Sequence, residues 1–162
     1  MNEIGFVLFA VAGLAVLFVF HLAERRRTAA IRALAIRSGF HYLGNALPRS
    51  LTLRGTPFDR ASKVWNVIDG EPRGIRTIAF DCQVGVGKGS WRRTVIAVES
   101  GADLARTVRF NPEMTLDSAG KWKVLYRPKA SVNFRIAGLM PLEELEPYLN
   151  SVAVNAPKTV NE

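Results

Sequence analysis

Residues 4–22 read IGFVLFAVAGLAVLFVFHL, and this run decides the architecture. Its nineteen residues, at about 1.5 Å each in a helix, reach roughly 28 Å, close to the ~30 Å hydrocarbon core of a bilayer. The one strongly polar side chain is His21, a single residue from the end. Phe, Leu and Val fall on every side of the helix, as contact with lipid requires. No Lys or Arg precedes the run and no A-x-A site follows it, so the sequence predicts a retained span rather than a cleaved leader. The small residues Gly5, Ala10, Ala12, Gly13 and Ala15 include no two that lie four apart, so the span carries no small-xxx-small pairing motif. His21 reads as a headgroup-level residue rather than a proton relay.

Charge is the next signal. The chain has 162 residues and a formal net charge of +8, and all 22 Lys and Arg lie at or after Arg25. Arg25, Arg26 and Arg27 follow the span at once, then Arg32 and Arg37. The positive-inside rule predicts an inner (cytoplasmic) membrane protein, N-terminus outside and C-terminal domain in the cytoplasm. Residues 24–38, ERRRTAAIRALAIRS, are rich in strong helix formers, so the spanning helix is expected to continue past the membrane. Ala30, Ile31, Leu34, Ala35 and Ser38 share one face, which can pack on a domain. Gly39 suits the left-handed position after a helix, with Phe40 making the accompanying apolar contact.

Beyond residue 40 the period changes from helical to two. Strands are predicted at 40–43, 63–69, 75–84 and 92–99, then at 106–110, 122–127 and 132–136. Gly, Asn and Pro punctuate residues 44–57, which read as an irregular connection. Within 63–69, Trp65 and Val67 alternate against Val64, Asn66 and Ile68. Ile78, Phe80, Cys82 and Val84 share one face of the next strand, opposite Thr77, Asp81 and Gln83. A final helix opens at Pro141, with Glu143 and Glu144 at its positive end, an apolar stripe of Leu142, Leu145, Leu149 and Val152, and a kink or split expected at Pro147. The class is α+β. The N-terminal transmembrane helix continues into an amphipathic helix, followed by an antiparallel sheet of about five or six strands with the C-terminal helix on one face. The division is 1–23 for the tail and span, 24–39 for the juxtamembrane helix, 40–153 for the domain and 154–162 for a disordered tail.

Chemistry is sparse. Gly85-Val86-Gly87-Lys88-Gly89-Ser90 is not a phosphate-binding loop. Cys82 stands where the first Gly would have to be, Gly89 separates Lys88 from Ser90, and a strand follows instead of a helix. It reads as a hairpin turn. Cys82 lies on an apolar strand face, and His41 is the sole domain histidine that could activate it, so Cys82 reads as a buried structural thiol. Asp59, Asp69, Asp81 and Glu99 have no acid/base or metal-pair spacing, and no GxSxG motif occurs. No catalytic, cofactor or metal residue is therefore assigned, and the chain is not expected to be an enzyme. Candidate contacts to an anionic surface are Arg25, Arg26 and Arg27, with Lys121, Lys123, Arg127 and Lys129 on one side of KWKVLYRPK opposite Trp122, Val124 and Tyr126. The aromatic residues lie on the other face from these charges, which argues against single-stranded nucleic acid.

The layout resembles small bacterial inner-membrane proteins with one N-terminal span and a cytoplasmic α+β domain. The shared features, over roughly residues 4–100, are the span, the Arg-rich Ala helix ending in Gly39-Phe40, the Ala79-Phe80-Asp81 strand, the Gly87-Lys88 hairpin and the Thr94-Val95 strand. The resemblance implies no activity and no functional residue. The expected function is a tethered interaction or accessory module with the bilayer and a membrane or cytoplasmic protein as partners. A second reading is a sensor of anionic lipid or a small anionic ligand through the basic sheet face. A third is an enzyme with an unrecognised site.

Overall fold

The computed structural model describes residues 3–99, 114–127 and 138–154. The strands expected at 106–110 and 132–136, and the tail from 155, lie outside the described residues, as does Lys129.

The first helix, α1 (Glu3–Arg37), is a single α-helix of 35 residues. Residues 5–19 are exposed throughout, and Phe20 is the first that is partly covered. Among the described residues this is the one helix long and apolar enough to cross a membrane. Its length and composition fit a single-pass anchor or a signal sequence. The C-terminal half behaves differently. Ile31, Leu34 and Ala35 are buried, drawn from the face that the sequence sets aside for packing. The helix ends as Gly39 predicts. Gly39 adopts φ +73°, its N–H donates to Ile36 O (3.4 Å), and Phe40 N–H donates to Ala35 O (2.8 Å). These two bonds are the Schellman pattern, which satisfies carbonyls the helix end would otherwise leave open.

Six strands follow: β1 (His41–Gly44), β2 (Ala61–Gly70), β3 (Thr77–Val84), β4 (Trp91–Glu99), β5 (Thr115–Ala119) and β6 (Trp122–Tyr126). They form one open sheet in the order β1-β2-β3-β4-β6-β5, antiparallel at every pairing. β5 is the strand the sequence hides, because TLDSA is short and polar. It turns into β6 through Gly120 and Lys121, between the paired residues Ala119 and Trp122. Gly120 takes φ +60°, as the first central position of a tight type II′ hairpin requires. The last helix, α2 (Leu142–Val154), passes through Pro147 without a break and starts one residue after Pro141. The Pro141 carbonyl accepts from Glu144 N (3.1 Å) and Leu145 N (3.0 Å).

Both sheet faces are covered. On one, α1 and α2 lay Ile31, Leu34, Ala35, Leu145 and Leu149 against Ile68, Ala79, Ile96, Val98 and Leu125. On the other, Leu53 and Phe58 from the connection 45–60 pack with Val67, Ile78, Phe80, Cys82, Val95, Trp122 and Val124. That connection was expected to be irregular, and it is, but it serves as the second lid of the sheet. Phe58 meets Trp91 (5.7 Å between ring centroids) and Tyr126 (4.7 Å) edge to face, a favoured arrangement for aromatic quadrupoles. Trp122 Nε1 donates to Ser50 O (3.1 Å).

One register feature departs from strict alternation. Trp65 pairs with Asp81 and Ile68 with Ala79, so β2 uses three steps where β3 uses two. The extra residue is a β-bulge, and Asn66 within it has φ +54°. The bulge reverses the phase of β2: Val64 and Val67 both pack on the connection side, whereas Ile68 joins the helix side.

Candidate functional site

The bulge, the middle of β3 and the buried half of α1 meet at one carboxylate. Asp81 is fully buried, on the helix face of the sheet. Arg27 comes down on it from α1, with Nε donating to Oδ2 (2.8 Å) and Nη2 to Oδ1 (2.8 Å). This is the two-pronged geometry that guanidinium and carboxylate favour. Arg27 reaches this position because it precedes Ile31 by four residues and Leu34 by seven, on the same side of the helix.

The remaining valences are filled by neighbours. Thr94, the direct cross-strand partner of Asp81, donates its hydroxyl to Oδ1 (2.7 Å). Asn66 Nδ2 donates to Oδ2 (2.9 Å), and Tyr42 O–H donates to Asn66 Oδ1 (3.3 Å). Thr94 Oγ1 also accepts from Arg27 Nη2 (2.9 Å) and from Met140 N (2.9 Å), while Arg27 Nη1 donates to Met140 O (2.9 Å). The network thus ties α1 to β1, β2, β3, β4 and the segment entering α2.

Its chemistry follows from a valence count. A carboxylate offers about four lone-pair sites, and Asp81 accepts two hydrogen bonds on each oxygen. Every site is taken, so the arrangement acts as a clamp between a helix and a sheet. Such a buried, fully bonded ion pair fixes one relative placement of its elements.

Further pairs line the same crossing. Glu24 accepts from Arg92 Nη1 (2.6 Å). The Arg92 guanidinium also lies 5.1 Å from the centre of the Trp65 ring, which Lys63 Nζ approaches to 5.5 Å. Arg32 stacks on Tyr42 at 4.9 Å, and Arg37 pairs with Glu146 of α2 (2.8 Å).

The residues weighed for reactivity do not converge. Cys82 is buried on the connection side, back to back with Asp81 on the helix side. Burial pushes its thiol up to about 12, with the Asp81 charge adding to the effect and Arg93 opposing it. His41 is exposed on the edge strand β1 and pairs with Asp69 in register. Residues 85–90 form the β3–β4 hairpin, with a 3-10 turn at Gly87–Gly89. Among the described residues, no three His, Cys, Asp or Glu side chains form a group that could hold a metal ion.

The candidate anionic contacts divide. Arg25 and Arg26 are exposed, and Arg27 is taken into the clamp. Lys121 pairs with Glu99, Lys123 donates to Ser118 Oγ (2.9 Å) and Arg127 pairs with Glu144. These three cations are engaged with the chain's own acceptors.

Protein-family models, curated proteins and solved structures give no match.

Sequence reasoning missed the clamp because Arg27 stands in a run of three arginines that the topology rule already explains. Two signals could have found it. Asp81 is the one charged residue in the stretch IAFDCQV, and Arg27 falls at the docking-face spacing of Ile31 and Leu34.

Proposed function

We propose that this chain is a single-pass membrane protein of the inner (cytoplasmic) membrane, whose α1 spans the bilayer and whose sheet domain is held at the cytoplasmic face as an accessory or interaction module for a partner protein. One observation carries the reading: α1 is unbroken, bare and apolar from residue 5 to 19, then locked to the sheet by Arg27 and Asp81. Retention of the span is supported by the sequence around it, which has no Lys or Arg before the apolar run and no A-x-A site after it. The exposed Arg25 and Arg26 support the cytoplasmic assignment, because charges close to the end of a span set its orientation. The saturated carboxylate and the inert thiol support a scaffolding role over chemistry at this site.

The test is affinity purification of the full-length protein from mildly solubilised native membranes, with cross-linking. Stoichiometric recovery of one protein partner supports the reading. Recovery of the bare chain with anionic lipid overturns the partner assignment, and recovery from the soluble fraction overturns the anchor.

A further inference from the structure

The two side-chain pairs that dock α1 also fix how far the sheet reaches back along it. Glu24 meets Arg92, and Arg27 meets Thr94. Going from the first pair to the second, the strand advances about 6.6 Å and the helix about 4.5 Å. β4 therefore runs away from the span, and the hairpin that precedes it points toward the span. The last β3–β4 pair is Val84 with Trp91, and residues 85–90 form the tip. That tip extends about 10 Å past Arg92. At the same ratio this is about 7 Å of helix rise, or four to five residues before Glu24. The tip is then level with residues 19–20, inside the apolar run.

The tip has the composition such a position needs. Val86 is 86% exposed, the most exposed large apolar side chain in the domain among the described residues. Lys88, two residues on, is exposed beside it. Trp91 closes the hairpin opposite Val84, and Trp65, paired with Asp81, stands three residues farther from the tip; both are partly covered and each is stacked with a cation, Arg92 on Trp65 and Arg93 on Trp91. Tryptophan and basic side chains are the residues that favour the headgroup layer.

We infer that the β3–β4 hairpin tip is a second membrane contact, in which Val86 enters the boundary of the acyl chains, Lys88 reaches the lipid phosphates, and Trp65 and Trp91 lie at the headgroup level. The inference rests on the reading that α1 spans a bilayer, and it adds that the domain sits against that bilayer rather than hanging clear of it. The occupant of this surface is the membrane that holds α1, since a helix rigidly joined to the sheet brings lipid to the tip.

The test places an environment-sensitive fluorophore on the full-length protein through Val86→Cys, with Leu14→Cys and Ile36→Cys as references, in vesicles of three parts phosphatidylcholine to one part phosphatidylglycerol. Cys82 is fully buried and stays unlabelled. Ile36 is exposed on the same helix, about 20 Å beyond the end of the apolar run. The expected result is quenching by shallow spin-labelled lipid at Val86→Cys at least about threefold above Ile36→Cys, with Leu14→Cys quenched by deep spin labels. If the Val86→Cys probe matches Ile36→Cys while Leu14→Cys is deeply quenched, the hairpin contact is wrong and the span stands. If Leu14→Cys is itself aqueous, the span reading fails and this inference falls with it.

Discussion

Replacing Arg27 by alanine would remove four donated hydrogen bonds from the junction of α1 and the sheet: two to Asp81, one to Thr94 and one to the Met140 carbonyl. Asp81, which has no exposure in the intact site, would keep only its bonds from Thr94 and Asn66. Breaking a buried pair by removing one partner costs about 3–5 kcal/mol, because the remaining charge is left uncompensated. The matching surface case is Arg37→Ala, which breaks a pair whose side chains are 63% and 38% exposed. That change should cost less than about 1 kcal/mol. Both are measured by urea unfolding of the full-length protein in detergent, followed by tryptophan emission, since Trp65, Trp91 and Trp122 all lie in the sheet domain. A third variant, Arg27→Met with Asp81→Leu, removes both charges and should recover part of the loss, the remainder reflecting the Asn66 and Thr94 donors that lose their acceptor. An Arg27→Ala cost equal to that of Arg37→Ala would refute the clamp.

Other parts of the molecule give further outcomes. A β-carbon on Gly138 would sit 1.9 Å from Arg92 O and 2.5 Å from Arg93 Nη1, so Gly138→Ala should destabilise by about 1–3 kcal/mol and loosen the Met140 contacts, read as a lower unfolding midpoint and faster hydrogen exchange at Met140. Phe58→Ala empties the contact between the 45–60 connection and the sheet and should cost about 3–5 kcal/mol, seen as a shift in the same urea midpoint; a neutral result would show that the connection is not a lid. The Cys82 thiol titrates near 9.0 in the unfolded chain and is pushed up to about 12 when folded. The folded state then retains a proton that the unfolded state releases, so stability present below pH ~9 should fall by about 1.4 kcal/mol per pH unit above it. Unfolding at pH 8, 9 and 10 measures the slope, which Cys82→Ala should abolish over that range. Tyr126 is likewise held up to about 12 by burial and by the hydrogen bond to Asp117, and adds its own fall above pH ~10.

The parts of the fold visible in the sequence are those set by local rules. The apolar run gives α1 by composition, Gly39 and Phe40 end it by backbone geometry, and the alternation in 75–84 and 92–99 gives the central strands. What stayed hidden depends on partners distant in the chain. Leu53 and Phe58 are isolated apolar residues among Pro and Gly, so no period announces that they close a sheet face. Asn66 looks like one more polar step in an alternating strand, and only its pairing across β3 turns it into a bulge. β5 has too little apolar content to stand out until Gly120 folds it onto β6. The clamp combines a charge already explained by topology with a carboxylate whose partner lies 54 residues away, a separation no local pattern reports.

The absence of any break in α1 has a mechanical consequence. Under the proposed reading of α1 as a membrane anchor, the span and the domain form a single lever with no swivel at the membrane surface. Transmembrane helices tilt by about 20° on average, and tilt responds to bilayer thickness. With Arg37 some 22 Å from the end of the apolar run, a change of 20° would swing that end of the domain by roughly 8 Å. Under the same reading the pose of the sheet is set partly by the lipid around the span, so a thicker or thinner membrane would re-aim it without altering a single contact within it.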